Sequence, residues 1–201
     1  MNIDTEHIHY WMNAVRISED RDRTLEAFWK GQLKSKEWLI DALKSTLSFD
    51  SNRPIRIDIH GGWVGTLASM LFCSGIPIRY IESSDIDPTC EPIATMLNKL
   101  EEQDGKFKAV TMDMCETFIH GDIVINTSCE HITQETYDKW LDHLPAGVLI
   151  VLQSNNYKIP EHIRTADTLE QFKEQSNLDT VFAGTLPLPS YNRFMLIGYR
   201  K

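Results

Sequence analysis

The sequence predicts an α/β fold in which a mainly parallel β-sheet is covered by helices on both faces. From Ile55 onward, short apolar strand patterns alternate with helical patterns along the chain. The first strand pattern runs into a glycine-rich loop that is followed by a helix. The last two strand patterns are separated by a segment rich in proline and polar residues, 187–192, which suits a reversal of the chain. One strand of the sheet is therefore expected to run antiparallel.

The first 50 residues are predicted to form an N-terminal helical cap on a domain that spans residues 51–201. The apolar positions of the first helix line one face and are Ile8, Trp11, Met12 and Val15. A second helical pattern runs from Leu25 to Leu33, and Ser35 is predicted to be the N-cap of a third helix. We expect the tryptophans of these helices to pack in the core in preference to contacting a ligand.

Seven strands are predicted in the second part of the chain. They are Ile55–Ile59, Ile78–Ile81 continuing toward Asp85, Phe107–Met112, Asp122–Asn126, Val148–Gln153, Thr180–Leu186 and Phe194–Tyr199. In sheets of this kind a ligand lies outside the carboxyl ends of the strands, where the strand order switches. The candidate site is therefore expected in the loops that follow the first four strands.

The glycine-rich loop reads Asp58-Ile59-His60-Gly61-Gly62-Trp63-Val64-Gly65. Glycines allow a ligand to lie against the backbone, because no Cβ intervenes. No Lys-Ser or Lys-Thr pair follows the loop, so it is not a nucleoside triphosphate loop. Aligned as His60-x-Gly62-x-x-Gly65, it also resembles a dinucleotide fingerprint without its first glycine, so a nicotinamide cofactor remains open.

An acidic segment, Ser84-Asp85-Ile86-Asp87-Pro88, ends the second strand. A carboxylate at that position can accept hydrogen bonds from both hydroxyls of a ribose. Its distance from the glycine loop, about 20 residues or slightly more, is typical of such an acid. Asp87 is predicted to cap the next helix, with Pro88 at the first helical position.

Five segments in order resemble the motifs of class I S-adenosylmethionine (SAM) dependent methyltransferases. Residues 58–65 are similar to the first motif, D-I-G-C-G-W-G-G, and residues 85–88 to the second, V-D-I-D-P. Asp113-Met114 resembles the acidic dipeptide of the third motif. Residues 122–126, followed by Glu130-His131-Ile132, are similar to the fourth motif of a subgroup with a trailing E-H pair. Pro145-Ala146-Gly147 resembles the turn before the fifth strand.

The resemblance implies a Rossmann-like seven-stranded sheet with an antiparallel last strand, a SAM cofactor and methyltransferase activity. It places ten residues near the cofactor, namely Asp58, His60, Gly61, Gly62, Asp85, Ile86, Asp113, Met114, Asn126 and Thr127. By that resemblance Asp58 lies beneath the cofactor near its ammonium end, Asp85 holds the ribose, and Ile86 packs on the adenine. Two loop residues, His60 and Val64, stand where the family has glycine. The His60 side chain is expected either to crowd or tilt the cofactor or to form a polar cap on the loop.

Methyl transfer is a direct displacement, so the enzyme mainly aligns the acceptor, the methyl group and the sulfur. A base is needed only if the acceptor must lose a proton, and Glu130 and His131 are the candidates. Two alternatives stay open. One is an NAD(P)-dependent oxidoreductase, and the other is a non-catalytic SAM-binding protein that keeps the methyltransferase fold.

The composition narrows the partners. The chain has 201 residues, of which 42% are hydrophobic, and a formal net charge of −9. The negative charge argues against a nucleic acid as the main partner and favours a small-molecule acceptor. No apolar run approaches the roughly 18 to 20 residues of a membrane span, and the N-terminus lacks a secretory pattern, so a cytoplasmic protein is expected. The four cysteines, Cys73, Cys90, Cys115 and Cys129, form no C-x-x-C pair, and no metal site is predicted.

Overall fold

The computed structural model describes residues 3–201. Within that range a seven-stranded sheet comprises β1 (Ile55–His60), β2 (Ile78–Asp85), β3 (Phe107–Thr111), β4 (Ile123–Asn126), β5 (Leu149–Asn155), β6 (Leu178–Pro187) and β7 (Asn192–Arg200). The strand order is β3-β2-β1-β4-β5-β7-β6. Strands β1 to β5 pair in parallel, whereas β7 is antiparallel to β5 and to β6. The predicted α/β class and the reversed last strand are confirmed, and the strand order switches direction between β1 and β4.

Helices pack on both faces of this sheet. They are α1 (Thr5–Ile17), α2 (Arg21–Glu26), α3 (Lys30–Thr46), α4 (Thr66–Phe72), α5 (Cys90–Leu97), α6 (Lys99–Gln103), α7 (Gln134–His143) and α8 (Leu169–Ser176). A single 3₁₀ turn, Cys129–His131, follows β4. Among the helices of residues 3–201, none is both long enough and apolar enough to cross a lipid bilayer.

The core consists of two apolar layers on opposite faces of the sheet. Side chains alternate along each strand, so Ile57 and Ile59 of β1 join the layer that contains α3 and α4. Ile150 and Leu152 of β5 join the layer that contains α7 and α8. Full burial of each such side chain stabilises the fold by about 1.5–3 kcal/mol. Trp140 of α7 heads the fully buried side chains by volume, and it lies beneath the end of β1.

The third helix departs from the sequence prediction. The structure divides the predicted Leu25–Leu33 helix between α2 and the start of α3, and α3 begins at Lys30. Ser35 therefore lies inside α3 and is not its N-cap. Its buried hydroxyl donates to Oε1 of Gln153 on β5, at 2.8 Å, and is satisfied by that bond. Helix α3 contributes Leu39 and Leu43 to the layer beside β1, so the first 50 residues share a core with the sheet.

A small apolar cluster joins the N-terminal helices to the glycine loop. Val64 is buried there with Ala14 of α1, Ala27 after α2 and Leu97 of α5. The valine at a glycine position of the family motif is therefore accommodated by packing under the helical cap.

The helix after β2 begins later than predicted. Helix α5 starts at Cys90, and Asp87 stabilises the preceding turn by accepting bonds from the Thr89 amide and hydroxyl. These bonds, together with an ion pair to Arg23 at 2.6 Å, lower the pKa of Asp87 to about 2. The Asp87 carboxylate is thus committed to the loop and to the helical cap.

Candidate functional site

The loops that follow β1, β2, β3 and β4 enclose a cavity at the carboxyl end of the sheet. Its volume is about 710 Å³, within the range of pockets that hold small molecules. All the sequence-predicted site residues except Asp58 and His60 line it, namely Gly61, Gly62, Asp85, Ile86, Asp113, Met114, Asn126, Thr127, Glu130 and His131. Part of α3 and the segment 159–162 line the remaining wall.

The glycine loop is held closely against β2 and against the loop after β4. Gly61 has a φ of +64°, in the left-handed region that glycine adopts without strain. A Cβ at Gly62 would collide with the Ser83 hydroxyl of β2. The Ser128 hydroxyl donates to the Gly61 carbonyl at 3.2 Å. Gly61 is thus required by its backbone conformation and Gly62 by its close contact with Ser83. The backbone of both glycines forms part of the cavity wall.

Asp85 stands at the end of β2 with its carboxylate oriented by backbone amides. The Trp63 amide donates to Oδ2 at 2.7 Å, and the Asp87 amide donates to Oδ1 at 3.1 Å. Trp63 has a φ of +50°, which is rare for a bulky side chain, and the bond to Asp85 helps to stabilise that conformation. A carboxylate has about four acceptor positions. Each Asp85 oxygen therefore keeps one acceptor position for a ligand hydroxyl.

The side chains of Asp58 and His60 lie beneath the sheet end and not in the cavity. They share the face of β1 opposite to Ile57 and Ile59, because strand side chains alternate. Asp58 is 2% exposed and its Oδ2 accepts from the amides of His120 and Gly121, at 2.8 and 2.7 Å. The His60 side chain thus does not reach the cavity, against the expectation that it would crowd or tilt the cofactor. Asp58 holds the loop before β4.

His60 belongs to a satisfied chain of hydrogen bonds. Its Nδ1 accepts from the Trp140 indole at 2.7 Å, so the neutral ring carries its proton on Nε2. Nε2 lies 3.3 Å from the Thr117 hydroxyl, which donates onward to the Met114 carbonyl. Burial lowers the pKa of His60 to about 4, against the opposing effect of the Asp58 charge. At neutral pH the ring is uncharged and anchors α7 to β1.

The loops after β2 and β3 supply an apolar surface and an acid. Ile86 is 71% exposed although it lines the cavity, so its side chain is free to contact a ligand. Asp113 accepts from the Cys115 amide at 2.8 Å, which fixes the turn that carries it. Met114 lies beside Asn126, whose amide nitrogen is 3.5 Å from the thioether sulfur. A flat apolar group with a polar edge matches this part of the cavity.

The loop after β4 forms the floor of the cavity. Asn126 ends the strand, is 1% exposed, and accepts from the Ser128 amide at 2.9 Å through its Oδ1. The carbonyl of Thr127 accepts from Nη2 of Arg193 at 2.8 Å. Hydrogen bonds thus fix the side chain of Asn126 and the backbone carbonyl of Thr127.

One carboxylate oxygen of Glu130, Oε1, is committed to a buried ion pair. Glu130 is 3% exposed, and its Oε1 accepts from Arg193 Nη1 and from Asn155 Nδ2, each at 2.6 Å. Removing one partner of such a pair leaves an uncompensated buried charge. This position favours a structural contribution from Glu130 over proton transfer to an acceptor.

His131 and His162 face each other at the cavity mouth, with ring centroids 4.7 Å apart. Nδ1 of His131 lies 3.1 Å from the Glu161 carbonyl, and Nδ1 of His162 lies 2.6 Å from the Tyr157 carbonyl. A carbonyl can only accept, so each Nδ1 carries the proton. The neutral rings therefore present unprotonated Nε2 atoms.

Three cavity residues were missed from the sequence: Lys36, His162 and Arg193. Lys36 is 8% exposed, and its ammonium donates to Oε1 of Gln32 at 3.1 Å. Burial and the nearby Arg193 charge lower the pKa of Lys36 to about 7. Lys36 sits on the buried stripe of α3 with Leu39 and Leu43, and a lysine on an apolar stripe is a signal that could have indicated it. Nothing local in the sequence marks His162 or Arg193.

No protein-family model and no curated protein sequence matches the chain. Solved structures do match. Magnesium protoporphyrin IX methyltransferase (ChlM) from Synechocystis PCC 6803, with bound SAH, superposes with a TM-score of 0.67 at 15% identity, covering 98% of this chain and 95% of that one. The pyocyanin biosynthetic protein PhzM gives 0.65 at 14% identity, with 95% of this chain and 62% of that one covered.

A third structure, the mitomycin 7-O-methyltransferase MmcR, gives a TM-score of 0.66 at 11% identity and covers 94% of this chain and 60% of that one. The chain therefore spans nearly all of ChlM and about 60% of the other two. These likenesses are strong over the whole sheet and its helices, at low sequence identity. They establish that the chain has the fold of SAM-dependent methyltransferases.

Proposed function

We propose that the chain binds SAM in the cavity and transfers its methyl group to a small-molecule acceptor. The observation that carries the proposal is the convergence on one cavity of a bare glycine loop, an oriented carboxylate at the end of β2 and an exposed apolar side chain beside it. The fold shared with SAM-dependent methyltransferases supports the same ligand.

In this proposal each part of the cavity contacts a different part of SAM. The backbone at Gly61 and Gly62 lies along the methionine portion of SAM, and the free acceptor positions of Asp85 accept hydrogen bonds from the two ribose hydroxyls. Ile86 packs on the adenine, and Asp113 meets its exocyclic amine. Asn126, Thr127 and Met114 line the adjoining floor, where Asn126 and Thr127 are nearest the transferred methyl.

Catalysis then consists mainly of alignment. The sulfonium already activates the methyl carbon, so a cavity floor that positions the acceptor oxygen, nitrogen or carbon in line supplies much of the rate. Where the acceptor must lose a proton, His131 is the better of the two predicted candidates, because its Nε2 is unprotonated in the neutral ring while Glu130 is held by Arg193.

The acceptor is proposed to enter between α3 and the segment 159–162. Lys36 and Arg193 bring positive charge to that side, and Glu130 and Glu161 bring negative charge. A cavity of this size and mixed lining suits a polar small molecule better than a polymer. The methyl acceptor itself is a target for a screen of metabolite pools with radiolabelled SAM.

The binding step is tested by calorimetric titration of SAH, SAM, NAD and NADP into the wild type and into the Asp85→Asn variant. We expect SAH and SAM to bind, and we expect Asp85→Asn to weaken them about 10- to 100-fold, as for loss of a charged hydrogen-bond acceptor. The surface variant Asp104→Asn is the matched control and should bind as the wild type does.

The outcomes separate the competing functions. Binding of NAD or NADP without SAM or SAH would replace the proposal by an oxidoreductase. Binding of SAM without SAH formation across acceptor pools would leave a SAM-binding protein without catalysis. A saturating ligand at about 100 times its dissociation constant should also raise stability by roughly 2.7 kcal/mol, which a thermal melt detects.

A further inference from the structure

The cavity mouth holds three side chains with metal-ligating atoms in one place. Glu130, His131 and His162 each offer one ligand atom, and the three atoms lie within 4.8 Å of one another. All three residues line the cavity. Glu130 and His131 follow β4, whereas His162 comes from the segment after β5, so the cluster forms only in the folded chain.

Both imidazoles are held in a tautomer that leaves one ring nitrogen free to bind a metal. Each donates its Nδ1 proton to a backbone carbonyl, of Glu161 for His131 and of Tyr157 for His162. Backbone carbonyls orient metal-binding histidines in this way, and they raise the basicity of the other ring nitrogen. The Nε2 atoms of both rings are thereby available as ligands.

The carboxylate of the cluster carries an independent sign of a missing partner. Glu130 is 3% exposed, and its Oε2 is buried without a hydrogen-bond partner among the described residues. An unpaired buried carboxylate oxygen is costly. Oε1 is already held by Arg193 and Asn155, so these two residues orient the carboxylate and leave Oε2 free.

We propose that Glu130, His131 and His162 bind a divalent first-row transition-metal ion. Two imidazoles and one carboxylate favour Zn²⁺, Mn²⁺, Fe²⁺ or Co²⁺ over the harder Mg²⁺ and Ca²⁺. Ligand atoms around an ion at about 2.1 Å are at most about 4.2 Å apart, which is close to the 4.8 Å within which the three ligand atoms of the cluster lie. Three protein ligands leave coordination positions open toward the cavity.

The ion would face the acceptor side of the proposed methyl-transfer site. An acceptor hydroxyl bound to the open position would have a lower pKa, so the metal would take over the activating role that a free His131 would otherwise have. This consequence rests on the proposed function, whereas metal binding itself does not.

The test uses the full chain without an affinity tag. Co²⁺ is added and followed by its visible d–d absorption, and Zn²⁺ is titrated by calorimetry, with Mg²⁺ and Ca²⁺ as comparison ions. We expect one Zn²⁺ per chain, displacement of Co²⁺ by Zn²⁺, and weaker binding of the two hard ions. His162→Ala and His131→Ala should each weaken Zn²⁺ binding by more than about tenfold.

His120→Ala is the matched control, because His120 is exposed and lies outside the cluster, and it should bind Zn²⁺ as the wild type does. Circular dichroism verifies that each variant is folded. Absence of saturable Zn²⁺ binding, or equal binding by the wild type and both cluster variants, would overturn the proposal. SAH affinity is measured on the same proteins, so loss of the metal site alone is distinguished from failure of the proposed function.

Discussion

Two groups of buried polar side chains flank the carboxyl end of the sheet and differ in how fully their hydrogen-bonding atoms are satisfied. Beneath β1, Asp58 accepts three hydrogen bonds and both ring nitrogens of His60 have partners. Across the cavity, Lys36 has one partner, and Glu130 and Arg193 each keep one buried atom without any among the described residues. The first group stabilises the fold, and the second remains available to a ligand.

The largest effect is expected on removing Asp58 from the satisfied group. Asp58→Ala leaves the amides of His120 and Gly121 without their acceptor and leaves Arg56 without one of its two ion pairs. We expect the free energy of unfolding to fall by about 4 kcal/mol, as for a broken buried charge network. Urea denaturation measures this. Asp104→Ala, at an exposed carboxylate, should change stability by less than about 0.5 kcal/mol, and an equal loss in both variants would contradict the comparison.

A change of opposite sign is expected in the unsatisfied group. Burial disfavours the charged form of Lys36, whose pKa is lowered to about 7 from an ordinary value of 10.5. Lys36→Met removes the buried charge and should raise stability at pH 7 and below by roughly 3 kcal/mol. A residue that lowers stability in this way is typical of a site kept for ligand chemistry.

The pH dependence of unfolding tests whether the buried charge of Lys36 is the cause of the stability difference. Between pH 7 and 10.5 the unfolded wild type binds the Lys36 proton and the folded one does not, so its free energy of unfolding rises with pH. Lys36→Met lacks that rise, and its advantage should disappear as the pH approaches 10.5. Lys108→Met, at an exposed position, is the control. A constant difference between Lys36→Met and the wild type across this range would show that charge is not the reason.

The fold was predictable because its signals are local. Each strand is a short apolar run, and the glycine loop and the polar segment 187–192 lie where the backbone must turn. The helical cap was less well predicted. Ser35 has the residue type of an N-cap, but a partner 118 positions away, Gln153, satisfies its hydroxyl inside a helix. Tertiary hydrogen bonds of this kind override local capping preferences.

The candidate site was predictable only where its residues follow the strands directly. Asp85 and Glu130 were identified from their positions after β2 and β4, although the pairing of Glu130 with Arg193 was not. His162 and Arg193 come from distant segments, and nothing near them in the sequence indicates a shared site. His60 was misplaced, because a resemblance to a glycine motif identifies the loop but does not give the face of β1 to which a side chain points.

The smallest effect compares His60 of the satisfied group with His131, an exposed histidine at the cavity mouth. His60→Asn should leave the Trp140 indole and the Thr117 hydroxyl poorly paired in the core and lower stability at pH 7 by about 2 kcal/mol. His131→Ala removes an exposed ring that is bonded to one carbonyl, so stability should change by less than about 0.5 kcal/mol. Thermal and urea denaturation at pH 7 measure both variants.

Lowering the pH tests the role of His60 further, because the folded state keeps the pKa of His60 near 4 while the unfolded chain has the ordinary value of 6.5. As the pH falls from 6.5 to 4, the unfolded wild type gains a proton that the folded wild type does not, and the wild type loses stability that His60→Asn retains. This change is worth about 2–3 kcal/mol, so the stability advantage of about 2 kcal/mol that the wild type has at pH 7 should be lost by about pH 4. A stability difference between the wild type and His60→Asn that stays constant over this pH range would mean that the His60 ring is already hydrated or charged in the folded protein. The proposed distinction between a satisfied structural group and an unsatisfied ligand site would then be wrong for His60.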